Sequence, residues 1–348
     1  MTRSYKLALI GFGNVGQGLA TILRDHGKMI ADQHGAEFSI VSVNTGSHGS
    51  VYNPEGLDPG TLLSAYSQAR RIDAVEAPYY DWDVPRVIYE SNADIVVELT
   101  SSDLLSGEPA TSYIRAALRN DRHVVTTNKG PIALYYSELA AAAAERGVTL
   151  GIEGTVMGGT PVLRIGRELL STAGISRIQG ILNGTTNYIL TRMAEGESYE
   201  SALAEAQEKG YAETNPSADV DGYDAAVKIV ILANLLLGIP LRLENVEREG
   251  IRELSTKDVV RANRVGEVWK LVGWVERTPD MVTANVRPIR LPQNHPLASV
   301  SGATNALTFV TKLLGDVTLV GPGAGRVETG FAVLSDLLEI NRRYQRLE

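Results

Sequence analysis

The stretch KLALIGFGNVGQG at residues 6–18 constrains the fold of this chain more than any other segment. Residues 6–10 are typical of a buried strand, and glycines follow at the spacing G-x-G-x-x-G before a run with helical periodicity. With 34 glycines in the chain the spacing alone is a weak signal, but a strand before it and a helix after it are the required context. The segment therefore predicts the first βα unit of a dinucleotide-binding fold. The alternative is a glycine turn needed only for packing.

The residues of this turn have separate predicted roles. Gly11 allows the tight turn, Gly13 lets a pyrophosphate approach the backbone, and Gly16 allows close packing of helix on strand. Amides at the start of the helix would face the phosphates. The predicted cofactor-binding residues of the segment are Gly11, Phe12, Gly13, Asn14, Val15 and Gly16.

The choice between NAD and NADP is left open by the second strand. A site that selects NAD usually carries Asp or Glu at the end of this strand, where the acid binds the ribose 2′-hydroxyl. Residues 44–50 contain neither acid nor arginine. We expect NAD or NADP as the cofactor, with a slight preference for NADP because no carboxylate would repel its 2′-phosphate.

Further strands are predicted at residues 37–43, 93–100 and 122–128, with helical segments between them. This βα repetition predicts an α/β fold with a mostly parallel sheet covered on both faces. Residues 47–60 are rich in Gly, Pro and Asn and predict a surface loop. After Gly147 short strands alternate with helical runs, and a closing helix is predicted near the C-terminus.

Composition excludes several classes of protein. The formal net charge of −8 offers no basic stripe, so nucleic acid is not an expected partner. Cysteine is absent, which excludes disulfides, thiolate nucleophiles and cysteine-ligated zinc. No apolar run reaches the length of a membrane helix, and the N-terminal run is too short for a signal peptide. We expect a cytoplasmic protein of about two domains that does not bind a membrane.

Two lysines are the strongest candidates for chemistry. Lys129, in TTNKGPIA, follows the carboxyl end of a predicted strand, where open α/β sheets bind ligands. Asp224 and Lys228 are four residues apart at the start of an apolar helix, which places both side chains on one face. A surface lysine and a surface ion pair are the alternatives. An ammonium group near a carbonyl would stabilise the negative charge that hydride addition creates on oxygen.

The segment ILNGTTNYIL at residues 181–190 sets a polar cluster between aliphatic residues. Asn-Gly followed by hydroxyl side chains favours a turn, so Asn183 and Gly184 are predicted as one. The alternative is a set of donors directed at a ligand.

Taken together, several motifs make the sequence resemble the homoserine dehydrogenase family over nearly its whole length. NGTTNYIL and GYAE with D-x-x-G-x-D-A-A-x-K are specific to that family, whereas the glycine turn is not. The remaining motifs are VVELT, TTNKGPIA, EGTVMGGTPVL, HPLASVSGATNA and GPGAGRVETGFAVLSDL.

The resemblance implies a function and a set of site residues. It implies NAD(P)-dependent interconversion of L-homoserine and L-aspartate 4-semialdehyde, an amino-acid substrate of low molecular mass, and a homodimer. The implied catalytic residues are Lys228, Lys129 and Asp224, with Lys228 as the proton donor. The implied substrate-binding residues are Glu213, Asp219, Gly184 and Thr185.

The resemblance also implies further ligand contacts. Cofactor-binding residues beyond the glycine turn are Thr100, Ser101, Lys129 and Gly325. A monovalent cation, Na⁺ or K⁺, would be held by Glu153, Val156, Gly158 and Thr160, whose oxygen ligands suit a hard cation. The chain departs from the family at Ser101 and Ser102, where glycines are common, and at Thr127, where alanine is usual.

The predicted architecture is a Rossmann-type doubly wound parallel sheet plus a second α+β domain with a mixed sheet. Residues 1–135, completed by 304–348, are assigned to dinucleotide binding, and residues 136–303 to substrate binding and dimerisation. No regulatory domain is expected after the last helix, nor feedback inhibition through one. The alternatives are a related dehydrogenase acting on another small aldehyde or hydroxy acid, or a non-catalytic nucleotide-binding regulator.

Overall fold

The structure is a computed structural model that describes residues 2–345. The chain forms two compact units, one built from residues up to Gly159 together with those from Gly325 onward, and the other from Thr160–Ala324. We call them unit 1 and unit 2. Among residues 2–345, no helix combines the length and the apolar character needed to cross a membrane.

Unit 1 contains a seven-stranded sheet in the order β4-β3-β2-β1-β5-β6-β7. The pairs β2-β1, β1-β5, β5-β6 and β6-β7 are parallel, and β3 and β4 are antiparallel additions at one edge. The strands are β1 (Arg3–Ile10), β2 (Ala36–Asn44), β3 (Ser50–Tyr52), β4 (Tyr79–Tyr80), β5 (Ile95–Glu98), β6 (His123–Thr126) and β7 (Leu150–Gly151).

The helices of unit 1 form two groups. The first group packs α1 against α2 and α12, and the second packs α3, α4 and α5 one against the next. The helices are α1 (Asn14–His34), α2 (Pro59–Ala69), α3 (Val84–Glu90), α4 (Ala110–Arg119), α5 (Lys129–Glu145) and, from the C-terminal part of the chain, the last helix α12 (Arg326–Gln345).

The hydrophobic core of unit 1 lies between the sheet and the first helix group. Leu7 and Leu9 of β1 are fully buried in a cluster with Leu19 of α1 and Leu337 of α12. The chain runs outward from β1 through β2, β3 and β4 and then crosses back to β5 on the other side of β1, so the order of strands reverses between β1 and β5. Ligands of open α/β sheets bind at such a switch point, at the carboxyl ends of the strands.

Unit 2 contains a six-stranded sheet in the order β13-β12-β8-β10-β11-β9. The sheet is mixed, because β9 pairs with β11 in parallel and the other pairs are antiparallel. The strands are β8 (Ile175–Ile181), β9 (Glu247–Arg248), β10 (Glu267–Arg277), β11 (Val282–Pro292), β12 (Thr304–Thr311) and β13 (Gly315–Pro322).

The helices of unit 2 pack largely on its central strands. Helices α7, α10 and α11 all contact β10, and α10 is buried on almost every side between residues 225 and 233. The helices are α6 (Val162–Arg164), α7 (Gly184–Ala194), α8 (Tyr199–Glu208), α9 (Ser217–Val220), α10 (Tyr223–Leu236) and α11 (Thr256–Arg264).

The predicted α/β class, the mostly parallel first sheet and the mixed second sheet are confirmed. Two local predictions of secondary structure differ from the structure. Residues 50–52, predicted as loop, form β3, because Val51 pairs with Val43 and is fully buried. Residues 304–322, assigned with the closing helix, form the β12-β13 hairpin of unit 2. Their alternating Leu307 and Phe309 are buried there.

The units also divide the chain at other positions than the predicted 135/136 and 303/304. Helix α5 and strand β7 pack together, and β7 is the last strand of the first sheet, so residues 136–159 stay in unit 1. The predicted Asn183-Gly184 turn also differs from the structure, because Asn183 is the N-cap of α7 and Gly184 is the first residue of that helix.

Candidate active site

The glycine turn of unit 1 joins β1 to α1 as the sequence predicts. Gly11 has φ of +105°, and a Cβ there would lie 2.6 Å from the Leu99 carbonyl oxygen, so only glycine fits. A Cβ on Gly16 would lie 2.9 Å from the Gly11 oxygen. Gly13 is different, because nothing lies within 4 Å of its Cβ position. The open side of the turn is therefore at Gly13.

The start of α1 presents the backbone N–H groups of its first turn at this open side. Gly13 is the N-cap and supplies no side-chain hydrogen bond to the helix. Asn14 is the exposed first residue of the helix, Val15 is half-buried, and Phe12 points inward with 2% exposure. A helix N-terminus of this kind attracts anions through its amides and its dipole.

The loop after β2 lies against a charge pair from the segment after α2, which residues 44–50 do not reveal. A Cβ on Gly49 would lie 2.7 Å from Cγ of Asp73, which places this carboxylate against the loop. Arg71 forms a close ion pair with Asp73 and holds the pKa of that carboxyl below its usual range. Sequence periodicity does not predict the contact between Asp73 and Gly49, since the two residues lie in separate segments of the chain.

The ends of β5 and β6 carry the remaining predicted cofactor residues of the sheet. The Thr100 amide and hydroxyl both donate to Glu98. The Ser101 carbonyl accepts from the Asn128 side chain at 3.4 Å. Lys129 is the half-buried first residue of α5, and its backbone N–H donates to the Ser102 hydroxyl oxygen at 3.2 Å.

Glu98 is the most buried ionisable group in this region. Its side chain has no exposed surface, and burial raises the pKa of the carboxyl, while hydrogen bonds from Thr100, Thr126 and Asn128 act in the opposite direction. Sequence reasoning did not select this residue. The available signal was a carboxylate at the end of an otherwise apolar strand.

Gly325 lies just before α12, in unit 1. Its φ is +148°, and a Cβ there would lie 2.1 Å from a carboxylate oxygen of Glu328. A larger residue would therefore strain the backbone at Gly325 and displace the Glu328 side chain.

In unit 2, hydrogen bonds through Asn183 connect the predicted residues Asp219, Asp224 and Lys228. The Lys228 ammonium group is buried, lies 2.7 Å from Asp224 Oδ2, and donates to the Leu182 carbonyl at 2.6 Å. Asn183 donates from Nδ2 to Asp219 Oδ1 at 2.7 Å and to Asp224 Oδ2 at 3.0 Å. These contacts join the start of α7 to α9 and α10.

Asn183 also organises the start of α7. Its Oδ1 accepts from the Thr186 amide at 2.9 Å, which caps the helix. Sequence reasoning placed this asparagine in a turn. An Asn immediately before the helical pattern was the missed N-cap signal.

Gly184, Thr185 and Glu213 occupy different surroundings. A Cβ on Gly184 would lie 2.6 Å from the Ala303 oxygen, so the start of α7 is closely packed. The Thr185 hydroxyl donates to the Tyr211 carbonyl at 2.5 Å. Glu213 is exposed on the loop between α8 and α9 that contains Tyr211, away from the bonds that join Asn183, Asp219 and Asp224.

The predicted cation ligands all lie within residues 153–160, which begin with a short 3-10 helix at Glu153–Thr155. Glu153 is buried, and its amide donates to Asp336 at 2.8 Å. Met157, between the predicted ligands Val156 and Gly158, has φ of +52°, which bends the backbone sharply. The Thr160 hydroxyl donates to the Pro322 carbonyl at 3.1 Å within unit 2.

Comparison with known proteins places this geometry in a family. Residues 11–153 match the family model described as homoserine dehydrogenase, NAD binding domain, and residues 161–338 match the model described as homoserine dehydrogenase. An NAD(+)-dependent homoserine dehydrogenase of Pseudomonas canavaninivorans is 44% identical over 98% of this chain and 97% of its own. A homoserine dehydrogenase of Methanocaldococcus jannaschii is 39% identical over 96% and 98%.

Solved structures agree. The crystal structure of a homoserine dehydrogenase from Thiobacillus denitrificans matches with a TM-score of 0.85 and 34% identity, covering 99% of this chain and 75% of that one. A hyperthermophilic archaeal homoserine dehydrogenase mutant in complex with NADPH matches with a TM-score of 0.83 and 31% identity, covering 98% of each chain. With both halves of the chain matched by family models and relatives aligned over nearly its full length, the chain belongs to the homoserine dehydrogenase family.

Proposed function

We propose that this chain is an NAD(P)-dependent oxidoreductase that interconverts L-homoserine and L-aspartate 4-semialdehyde. The observation that carries the proposal is the buried Lys228, held by Asp224 and the Leu182 carbonyl at the start of α10. Burying an ammonium group and its carboxylate partner costs desolvation free energy that apolar side chains would avoid, so this buried pair supports a chemical role for Lys228.

The residues of unit 1 fit a dinucleotide. The open position at Gly13 leaves room for a pyrophosphate, and the amides at the start of α1 are suited to bind it. When bound, the reduced cofactor supplies the hydride that converts the aldehyde carbon to an alcohol carbon. Thr100, Ser101 and Lys129, at the ends of β5 and β6, are proposed to border its nicotinamide half.

Lys228 is the proposed proton donor. As the carbonyl carbon gains hydride, the oxygen gains negative charge, and the Lys228 ammonium neutralises that charge and transfers a proton to give the hydroxyl. In the reverse direction the neutral amine accepts the hydroxyl proton. Asp224 holds the Nζ atom in place through a hydrogen bond of 2.7 Å.

The amino-acid end of the substrate requires complementary groups. Glu213 and Asp219 are proposed to bind the substrate ammonium group, and Gly184 and Thr185 to bind its polar groups at the start of α7. Lys129 is the second proposed active-site lysine. Glu213 is exposed, and its backbone carbonyl accepts from the Gln207 side chain at 3.0 Å, so its carboxylate projects from a loop that is held by its backbone.

We propose that the enzyme prefers NADP over NAD as its cofactor. Asp73, the carboxylate at the loop after β2, is paired with Arg71, which offsets its repulsion of a 2′-phosphate. The relatives include one named as NAD(+)-dependent and one solved with NADPH. The ratio of kcat/KM for NADP⁺ over NAD⁺ tests this choice, and a ratio below one contradicts it.

A monovalent cation site is proposed at Glu153, Val156, Gly158 and Thr160. Oxygen ligands suit Na⁺ or K⁺, and the buried Glu153 supplies a negative charge. Thermal unfolding in NaCl, KCl and choline chloride at equal ionic strength tests it. Equal melting temperatures in all three salts would argue against the site. The homodimer and the cytoplasmic location stay predictions, and light scattering after size-exclusion chromatography tests the dimer.

The central experiment measures homoserine-dependent reduction of NADP⁺ and NAD⁺ by the wild type, Lys228→Ala and the control Lys257→Ala. Lys257 is an exposed lysine of α11. We expect Lys228→Ala to lose at least about tenfold in kcat, equivalent to about 1.4 kcal/mol of transition-state stabilisation, and the control to keep its activity. A folded wild type that binds nucleotide but shows no turnover with homoserine would exclude the proposed substrate.

A further inference from the structure

Glu98 has a set of contacts that the proposed mechanism leaves unused. It is the last residue of β5, its side chain is completely buried, and each carboxylate oxygen serves a different strand end. Oε1 accepts from the Thr100 amide at 2.8 Å and from the Thr100 hydroxyl, and Oε2 accepts from the Thr126 hydroxyl at 2.9 Å. One carboxylate therefore joins the ends of β5 and β6.

The contacts continue from Thr126 into α5. The Asn128 amide donates to the Thr126 hydroxyl oxygen at 3.0 Å, so the Thr126 proton is directed at Glu98. Asn128 then caps α5, because its Oδ1 accepts from the Gly130 amide at 3.2 Å. Lys129 is the residue between them and the first of the helix.

A second branch holds the loop after β5. The Asn128 side-chain amide donates to the carbonyls of Thr100 at 3.3 Å and Ser101 at 3.4 Å. The backbone of Lys129 donates to Ser102. The loop at residues 100–102 and the start of α5 thus share one hydrogen-bonded network with Glu98 at its buried end.

We propose that Glu98 is a positioning residue that sets the loop at residues 100–102 and the backbone of Lys129 for cofactor binding and hydride transfer. The inference rests on the proposed function, in which Thr100, Ser101 and Lys129 border the nicotinamide. A carboxylate is suited to this place because both of its oxygens accept, and donors approach it from both strand ends.

Glutamine cannot replace it without rearrangement. In Glu98→Gln one oxygen becomes an NH₂ group, which would face either the Thr100 donors or the Thr126 hydroxyl, and so at least one donor loses its acceptor. Because buried donors without acceptors are costly, the strand ends would shift. Small displacements of groups that hold the reacting atoms reduce the rate of catalysis strongly, even when the fold is unchanged.

The test compares Glu98→Gln with Glu339→Gln, which removes another buried carboxylate of unit 1, one paired with Arg342 on α12. Dissociation constants for NADPH are measured by fluorescence titration, and kcat, KM and the primary deuterium isotope effect by turnover of homoserine. For Glu98→Gln we expect the NADPH dissociation constant to rise about tenfold, kcat to fall about tenfold or more, and the isotope effect to increase.

Threonine variants keep the test decisive if Glu98→Gln does not fold. Thr126→Val removes the hydroxyl in a similar shape, and Thr126→Ser retains it. We expect Thr126→Val to change in the same direction as Glu98→Gln and Thr126→Ser to resemble the wild type. A general loss of stability would lower the melting temperature and the active fraction but leave the isotope effect unchanged.

The two proposals can fail separately. If folded Glu98→Gln or Thr126→Val keeps the wild-type NADPH affinity and isotope effect, the positioning role is wrong. If the wild type does not oxidise homoserine, yet NADPH affinity follows the expected order of variants, the substrate assignment is wrong and the role of Glu98 in cofactor binding is supported.

Discussion

Among individual residues, Asn183 contributes most to the substrate half of the site, because its single side chain bonds in two directions. The oxygen caps α7, and the nitrogen donates to two carboxylates, Asp219 and Asp224. The amide therefore joins the two carboxylates without adding charge.

Replacement of Asn183 by Asp should separate these two functions. Aspartate keeps the N-cap acceptor, but it loses the donor and places a third carboxylate beside Asp219 and Asp224. We expect kcat/KM for homoserine to fall by about tenfold or more, in line with a lost hydrogen bond to a charged group. Ser198→Ala is the control, since Ser198 caps α8 from an exposed position. It should cost about 1 kcal/mol of stability and leave the kinetics unchanged.

Among secondary-structure elements, the β1-α1 connection combines one residue limited by packing with one limited by function. Gly11 has a left-handed conformation against Leu99, whereas Gly13 faces open space. The two glycines look equivalent in the sequence pattern. Their surroundings decide which one supports the fold and which one faces the ligand.

Alanine substitutions should show this difference. Gly13→Ala has room in the fold, so its melting temperature should stay near that of the wild type, while its KM for NAD(P)⁺ should rise by about tenfold or more because the methyl occupies the approach to the pyrophosphate. Gly11→Ala should instead lose stability, by about 1–3 kcal/mol, from backbone strain and the contact with Leu99. A Gly13→Ala enzyme with unchanged KM would contradict the assignment.

For the molecule as a whole, the closing helix completes unit 1 by packing on the first helix. A Cβ on Gly18 of α1 would lie 1.8 Å from the Arg326 oxygen, and a Cβ on Gly330 of α12 would lie 2.7 Å from the Gly18 carbonyl carbon. The backbones of α1 and α12 are therefore in direct contact at this crossing. Neither helix can accept a larger residue at that crossing.

Two glycines of α1 provide a matched pair for this crossing. Gly18→Ala should destabilise unit 1 by about 1–3 kcal/mol or more, because the methyl group overpacks a rigid contact. Gly27→Ala has nothing within 4 Å and should stabilise the same helix by about 0.5–1 kcal/mol. Urea unfolding followed by circular dichroism measures both. Equal effects of the two substitutions would show that the crossing is not tight.

The C-terminal helix also makes stability depend on pH through His123. The Thr149 amide donates to Nδ1 at 3.0 Å, so Nε2 carries the proton shared with the Tyr344 hydroxyl at 2.8 Å. Burial lowers the pKa of His123 from its usual 6.5 to about 4. The unfolded chain therefore takes up a proton first as pH falls.

The sign of the effect follows from this difference. The stabilising contribution of neutral His123 is complete above pH 6.5 and is lost as pH falls towards about 4, at a slope of about 1.4 kcal/mol per pH unit. Urea unfolding between pH 4 and 7 measures it. We expect His123→Gln to have a flatter profile, and His26→Gln, at an exposed position of α1, to keep the wild-type slope.

Features that depend on neighbours along the chain can be predicted from the amino-acid sequence alone. The strand, glycine turn and helix at the start, the i, i+4 pair of Asp224 and Lys228, and the burial of α10 all follow from local spacing, and the structure contains them. Residues 304–322 were misassigned because an apolar run with β-branched residues acquires its partner strand only from the rest of the sheet.

The contacts between residues distant in sequence depend on how the elements pack, and the sequence pattern does not predict them. Asn183 reaches Asp219 and Asp224 across 36 and 41 positions, and Glu98 reaches Thr126 across 28. Asp73 joins the loop after β2 in the same way. Such contacts have no periodicity to reveal them, because they depend on how helices and strands pack rather than on the spacing of residues within one of them.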